Sequence, residues 1–467
     1  MGKLTQKIAR IAFGDIFGRG IGFITTIYLA RTLGSEAFGM LTIGLSFLGY
    51  AIWVSDLGLL NIGAREIAKE PLKRIFRAKE IFLLKIILGI FVFGLSFLIV
   101  PTFEIPIEQK EIIQGFMYSL IPYALLMEWY YNGKQYFGKV AFSKIAHSSL
   151  YLVLVLFFVH SKEDLSMIPV AYAIGISFSA FVLGIYSFKE NPFELPARGW
   201  AVIKDLFQSA LTLGSGEFFK RMLQLLPPLL IGFLLSAKDA GIYGAAIRII
   251  FIAMLIDRIF VHLLLPNLAS QWIENVSMAK SNVQIVSRLL LLIGSILALG
   301  IAISSPLLIQ WIYGNEYVLS APVLSILTVF LFFTFLNSLF STGLLAIGKD
   351  REYFNSSLFA GIISAAIMVL ASTTGDLYLV AVSVAVSELV FTGFALFWFR
   401  KHVSLNILGK TTTTILIAAG LYYLSTNLEF YPILEAFGFS IILVPLLLIF
   451  RVINNNDLSW LIEKLKS

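Results

Sequence analysis

Two short stretches, GDIFGR at 14–19 and GEFFKR at 216–221, place an acid and an arginine one helical turn apart in otherwise apolar sequence. Asp15 and Arg19, like Glu217 and Arg221, stand at i and i+4, the spacing of an intrahelical ion pair. Lys220, Arg248 and Arg258 add three cations in comparable surroundings, and Asp257 and Glu388 add two acids. A charge at the bilayer centre costs about 2.5–3.5 kcal/mol on insertion scales. Such residues must therefore pair, reach an interface or face a cavity. Against Asp15, Glu217 and Asp257, the five cations Arg19, Lys220, Arg221, Arg248 and Arg258 leave an excess of two. A dry bundle has no need of that surplus, whereas a water-filled cavity that takes an anion does. Arginine suits phosphate, because its planar fork donates two parallel hydrogen bonds. Arg19 is accordingly read as an anion-binding group and Asp15 as its resting partner, although the two i,i+4 pairs also admit a purely structural reading.

Glu388 stands apart from the cations. It is either the carrier of a coupling proton or a hydrogen-bonded structural carboxyl, and the second reading is preferred. Lys85, Lys144 and Glu128 lie about one turn from the end of an apolar run and are expected to snorkel to the interface. His262, one turn after Arg258, is read as a bundle histidine.

The elements that hold these residues are long apolar runs. The 467-residue chain is 58% hydrophobic and 13% charged, where a soluble domain is nearer a quarter charged. It has no cysteine, which excludes disulfides, zinc-thiolate sites and thiol chemistry, and its four histidines are scattered. A spanning helix needs about 20 mainly apolar residues. Fourteen such runs are read, at 9–33, 38–60, 81–100, 112–131, 140–160, 168–188, 206–235, 241–265, 286–312, 322–347, 355–373, 377–399, 411–426 and 433–450. The fold expected is an all-α polytopic membrane protein. Of the 35 Lys and Arg, 24 fall in the two ends and alternate connections on one side of these runs. Only Arg31, Lys110, Lys162 and Lys238 fall on the other side. This bias puts both termini in the cytoplasm and explains the net charge of +7 without nucleic acid. The basic, apolar N-terminus is read as a retained first helix, with no clean signal-peptide cleavage site.

The acid–arginine motifs recur at an offset of 202 residues, and the offset persists: SEAFGML at 35–41 falls on AKDAGIY at 237–243, pairing Gly39 with Gly241. A later echo pairs NGKQYF at 132–137 with IGKDREYF at 347–354. Spans 1–6 and 7–12 thus read as two copies in the same orientation, related by a pseudo-two-fold along the membrane normal, with spans 13–14 added. The division expected is an N-terminal lobe at 1–188, a cytoplasmic linker at 189–205, a C-terminal lobe at 206–400, and the last two spans with a cytoplasmic tail at 401–467. Pro227-Pro228 is expected to kink the seventh span. No phosphate-binding Gly-x-x-x-x-Gly-Lys-Ser/Thr loop occurs, nor a Gly-x-Ser-x-Gly or His-Glu-x-x-His motif. ATP hydrolysis and the common hydrolases are therefore not expected, and neither is a cofactor or metal.

The stretch LARTLGSEAFGMLTIGLSFLGYAIWVSDLGLLNIGARE at 29–66 resembles the opening of the polysaccharide-biosynthesis flippases of the Wzx type, within the multidrug/oligosaccharidyl-lipid/polysaccharide exporter superfamily. It carries a Leu-Gly-x-x-x-x-Gly turn at Leu33, Gly34 and Gly39, and Asp-x-Gly at Asp56, Leu57 and Gly58. AKDAGIYGAAIRI (237–249), LLLPNLAS (263–270), YGNEYVLSAPVLSIL (313–327) and LLAIGKDREYF (344–354) agree in order. The resemblance implies two six-helix lobes in a V around a cationic cavity that opens alternately to each side. It also implies a polyprenyl-pyrophosphate-linked oligosaccharide as substrate, moved by membrane potential or by H+ or Na+ coupling. A plasma-membrane monomer working beside polysaccharide polymerase and export proteins is expected. The alternatives are a lipid II flippase, a multidrug or cation antiporter of the same superfamily, and an intramembrane glycan transferase.

Overall fold

The computed structural model describes residues 3–68, 71–188, 200–428, 431–457 and 459–460, and among these there is no strand. The 189–205 linker lies mostly outside them; it is described only from Trp200, where a helix begins. Among the described residues sixteen α-helices follow one another. The first eight are α1 (Lys3–Asp56), α2 (Leu59–Ala68), α3 (Pro71–Ile99), α4 (Ile107–Met117), α5 (Leu120–Ala124), α6 (Glu128–Gly133), α7 (Phe137–Phe158) and α8 (Met167–Phe188). The second eight are α9 (Trp200–Leu234), α10 (Ala237–Glu274), α11 (Val276–Tyr313), α12 (Ser320–Ala346), α13 (Asp350–Ser372), α14 (Leu377–Phe399), α15 (Leu408–Ser425) and α16 (Pro432–Ile449). Every apolar run read from the sequence is helical over most of its length. Ten stretches among the described residues are long and apolar enough to cross a membrane. The chain is a multi-pass membrane protein.

Two departures from the expected spans have local causes. The runs at 9–33 and 38–60 share α1, whose apolar part, Phe17–Asp56, is 40 residues long. At about 1.5 Å per residue that is about 60 Å, twice a hydrocarbon core of about 30 Å. The helix is interrupted at Gly34, whose φ of 75° and ψ of 173° are not helical; glycine takes such a φ without a Cβ penalty. The run at 112–131 is not one helix but α4, α5 and α6 in succession. Pro122 has no N–H for the carbonyl of Tyr118, four residues back, and its ring crowds that carbonyl; the chain leaves the helix at Tyr118–Ser119. Pro227 and Pro228 lie inside α9, which continues as helix through both.

The chain divides into two compact units, Met1–Gly244 and Ala245–Ser467. The division falls in α10 because the first turns of that helix, with α9, pack on α1. In the first unit α1 lies against α4, α7 and α9, and α3 against α2 and α5. Its core gathers Leu59, Ile62, Trp129, Tyr131, Leu183 and Leu206 from helices distant in sequence. In the second unit α12 is sandwiched between α11 and α14, α14 carries α13, and α15 and α16 pack on α11. Phe340 of α12 meets Phe399 of α14, and Phe335 of α12 faces Gly294 of α11.

Candidate functional site

In the first unit eight helices bring charge and aromatic rings together. The reversal from α1 to α2 is made by Asp56-Leu57-Gly58, with φ of 42° at Leu57 and 86° at Gly58. The Asp56 side chain closes that turn: its Oδ2 accepts a hydrogen bond from the Leu60 N–H at 3.1 Å, capping α2. Its Oδ1 lies 3.1 Å from the Lys85 ammonium of α3, with the two side chains 13% and 4% exposed. Lys85 Nζ also stands 5.3 Å from the ring centroid of Tyr123, on α5, near enough for a cation–π contact. Tyr123 in turn lies in the field of Asp56, Glu128 and Arg221.

Glu128 opens α6, and Lys144 of α7 reaches within 3.8 Å of its Oε2. The same turn of α7 supports α1: a Cβ at Gly18 would meet Ser148 Oγ at 3.7 Å and the Lys144 carbonyl at 3.8 Å. Arg19 is therefore carried on the turn of α1 that rests beside Lys144, and its side chain is exposed. Arg221, on α9, is exposed as well. Behind these charges His147 stacks on Tyr151 and meets Tyr172 edge-on at 5.0 Å, and Tyr172 reaches Phe116 of α4. The result is a half-buried aromatic wall beside a set of cations.

The expected snorkelling of Lys85 is corrected by this geometry. Its side chain does not reach water but ends in an ion pair with Asp56. An ammonium buried without that partner would carry a desolvation cost of several kcal/mol, roughly the amount the pair offsets. Lys144, 42% exposed, keeps its access to solvent. The Asp56–Lys85 pair is absent from the sequence reading because the partners sit on different helices. The Asp-x-Gly motif marked Asp56, but nothing in the spacing pointed to Lys85.

Arg248, Arg258, Asp257 and Glu388 belong to the second unit. Asp257, on α10, is 5% exposed and accepts a hydrogen bond from Ser338 Oγ at 2.6 Å. Glu388, on α14, is 4% exposed and accepts from Asn337 Nδ2 at 2.8 Å. Neighbouring residues of a helix point about 100° apart, which lets Asn337 and Ser338 of α12 serve acids on two different helices. Ser341 Oγ completes the chain by donating to Asn337 Oδ1 at 2.7 Å. Arg248 and Arg258 are half-buried, and Arg248 lies in the electrostatic neighbourhood of Tyr313, the last residue of α11, and of Tyr317 just beyond it. The five cations read from the sequence are thus distributed over both units, with Arg19 and Arg221 in the first. The backbone places Asp15 on α1, and Glu217 and Lys220 on α9; their side chains lie outside the described residues, as does that of His262.

The fold is shared with proteins of the multidrug/oligosaccharidyl-lipid/polysaccharide exporter superfamily. A lipid II flippase, MurJ, in an inward closed conformation is 13% identical, with a TM-score of 0.69 over 94% of this chain and 98% of that one. A multidrug resistance MATE family transporter in an inward-facing conformation is 14% identical, with a TM-score of 0.68 over 82% and 94%. A superfamily transporter from Pyrococcus furiosus, described as having a binding pocket of reversed polarity, is 15% identical, with a TM-score of 0.59 over 86% and 96%. No curated protein matches the sequence. The chain belongs to the polysaccharide biosynthesis protein family, whose pattern matches residues 4–272. That match takes in the whole first unit, with Arg19, Asp56, Lys85, Tyr123, Glu128, Lys144 and Arg221.

Proposed function

We propose that this protein flips a polyprenyl-pyrophosphate-linked oligosaccharide from the cytoplasmic to the outer leaflet of the plasma membrane by alternating access. Family membership supports a flippase of polysaccharide biosynthesis. One observation supports the anionic headgroup: among the described side chains within the apolar helices, two arginines are exposed and two acids are buried. Arg19 and Arg221 are exposed and Arg248 and Arg258 half-buried, whereas Asp257 and Glu388 are buried and hydrogen bonded. Asp56 is committed to Lys85 and to the cap of α2. In the first unit Arg19 and Arg221 present exposed guanidinium groups, the geometry that recognises pyrophosphate. A cation or drug antiporter needs the opposite arrangement, with carboxylates presented.

In this reading the pyrophosphate sits against Arg19 and Arg221 of the first unit, helped by Lys220, and Arg248 and Arg258 of the second unit are read as further anion-binding cations. The aromatic wall of His147, Tyr151 and Tyr172 lies beside the sugars, and the polyprenyl tail stays in the bilayer. Both termini are cytoplasmic, spans 1–6 and 7–12 form two six-helix halves, and α15 and α16 complete fourteen spans. An inside-negative potential drives an anion outward with about 2.3 kcal/mol per charge per 100 mV, so transport needs no ATP and uses the field or an H+ or Na+ gradient. The protein acts as a monomer beside the polymerase and export proteins that consume its product. The test is reconstitution in vesicles with a fluorescent polyprenyl-pyrophosphate oligosaccharide on one leaflet. Appearance of the label on the other leaflet, scored by an impermeant quencher, supports the reading. Label that stays put while a cationic dye is exported overturns it in favour of drug transport.

A further inference from the structure

The 202-residue repeat has a physical counterpart within the first unit. A Cβ at Gly39 would collide with the Ala237 carbonyl oxygen, and a Cβ at Gly241 would collide with the Ser35 carbonyl oxygen. Residues 35 and 237, and 39 and 241, are each separated by the offset of the repeat. The contact is reciprocal: what the first copy does to the second, the second does to the first. Equivalent residues of two copies touch each other only where the axis relating them passes. The next pair follows the same rule, since a Cβ at Gly244 would lie 2.7 Å from Thr42 Oγ1, again 202 residues away. The seam continues along α9: a Cβ at Gly232 would meet Ile43, and one at Gly49 would meet Leu225. From Gly39 to Gly49 it runs ten residues of α1, about 15 Å at the helical rise.

This seam begins in the turns that hold Arg31 and Lys238, on the side of the membrane poorest in basic residues. That side is the outer one by the charge rule. A load that travels between the two copies toward that side must part helices whose backbones are in contact. We infer that the Gly39–Gly241 crossing, backed by Thr42–Gly244, is the outer gate of the transporter and is shut in this structure. The inference rests on the flippase reading for what passes the gate and on the seam geometry alone for where the gate is. Glycine at 39 and 241 is what allows the seam to close, because any larger residue at either position holds the backbones apart. Contacts through glycine also interlock few side chains, which suits a joint that opens in every cycle.

The chain lacks cysteine, so the gate can be locked chemically. In the double variant Thr42→Cys/Gly244→Cys the two Cβ atoms stand about 3.3 Å apart, close to the span of about 3.5–4.5 Å that a disulfide needs. Oxidised protein in vesicles is expected to lose flipping of the labelled polyprenyl-pyrophosphate oligosaccharide in proportion to the cross-linked fraction and to regain it on reduction. Native-rate flipping by fully cross-linked protein overturns the gate and leaves the flippase reading intact. Absence of flipping by native protein in the same vesicles overturns the flippase reading instead. The gate is then judged by a second measurement, which needs no substrate. Thr42→Cys alone, at a position 5% exposed, is expected to resist an impermeant maleimide added outside intact cells. Thr42→Cys/Gly241→Ala cannot close the seam and is expected to react at least tenfold faster. Equal protection of the two variants overturns the gate.

Discussion

Lys85 and Asp56 are joined by a 3.1 Å ion pair whose acid also caps a helix, so one carboxylate both fixes the turn between α1 and α2 and neutralises α3. Breaking a buried pair from one side costs about 3–5 kcal/mol, whereas replacing both partners by neutral groups is often harmless. Lys85→Met is therefore expected to lower the unfolding temperature in detergent sharply. Asp56→Asn/Lys85→Met is expected to recover most of the loss, because asparagine still caps α2. Asp56→Ala/Lys85→Met should recover less, by about 1 kcal/mol for the missing cap. Scanning fluorimetry of the four proteins decides it; equal stability of Lys85→Met and native protein would show that the pair contributes nothing.

Arg19 and Arg221 are expected to act on substrate rather than on stability, since both side chains are exposed. Arg19→Ala and Arg221→Ala should each abolish export of the cell's lipid-linked glycan while the protein accumulates at native levels. Lysine at either position keeps the charge but loses the bidentate fork and should retain only part of the rate. Full activity of both alanine variants, measured in cells that depend on this flippase, would remove the two arginines from the binding site.

The helices were legible in the sequence because a bilayer imposes a length and an apolar composition on anything that crosses it. The turn at Gly34 was legible as well, through its Leu-Gly-x-x-x-x-Gly context, and so was the offset that pairs Gly39 with Gly241. What the sequence concealed depends on distance between helices. Lys85 reads as an interfacial lysine until Asp56 is placed beside it. The run at 112–131 reads as one helix because its composition does not mark its two breaks, at Tyr118–Ser119 ahead of Pro122 and at Leu125–Met127. The same limit applied to Asp257 and Glu388, whose hydrogen-bond donors, Ser338 and Asn337, are unremarkable residues of another apolar helix.

Glu388 illustrates how a buried acid is assigned. Its Oε1 accepts from Asn337, and Thr392 Oγ1 donates to its backbone carbonyl at 2.8 Å. Glutamine at 388 preserves the acceptor for Asn337, so Glu388→Gln is expected to transport at close to the native rate. Glu388→Leu strands the Asn337 amide in the core, at a cost of about 1–3 kcal/mol, and should reduce folded yield. Transport measured against an imposed pH gradient separates the roles. A Glu388→Gln protein that flips substrate but no longer responds to the gradient would make Glu388 the proton carrier after all.

The C-terminal turn is held by another buried carboxylate. Arg288 of α11 donates two hydrogen bonds to Asp457, from Nε at 2.7 Å and Nη2 at 2.6 Å, and the Asp457 side chain is 1% exposed. Lys410, which precedes the span at 411–426, donates to the Val452 carbonyl at 3.1 Å in the same place. Burial and the neighbouring Arg288 hold the Lys410 ammonium below the ordinary lysine range, and Asp457 opposes both. Asp457→Ala leaves two cations facing each other at the base of α15 and should cost about 3–5 kcal/mol, with protease cleavage after residue 450 as the first visible sign. Asp457 raises the affinity of Lys410 for its proton in the folded state, and that part of its stabilisation is present while Lys410 is charged. It disappears as pH rises through the lysine titration. The stability gap between native protein and Asp457→Ala should therefore narrow on the alkaline side, and in a Lys410→Met background it should be smaller and flat with pH. A gap that is constant in both backgrounds would show that Lys410 takes no part in the latch and that Arg288 alone holds the tail.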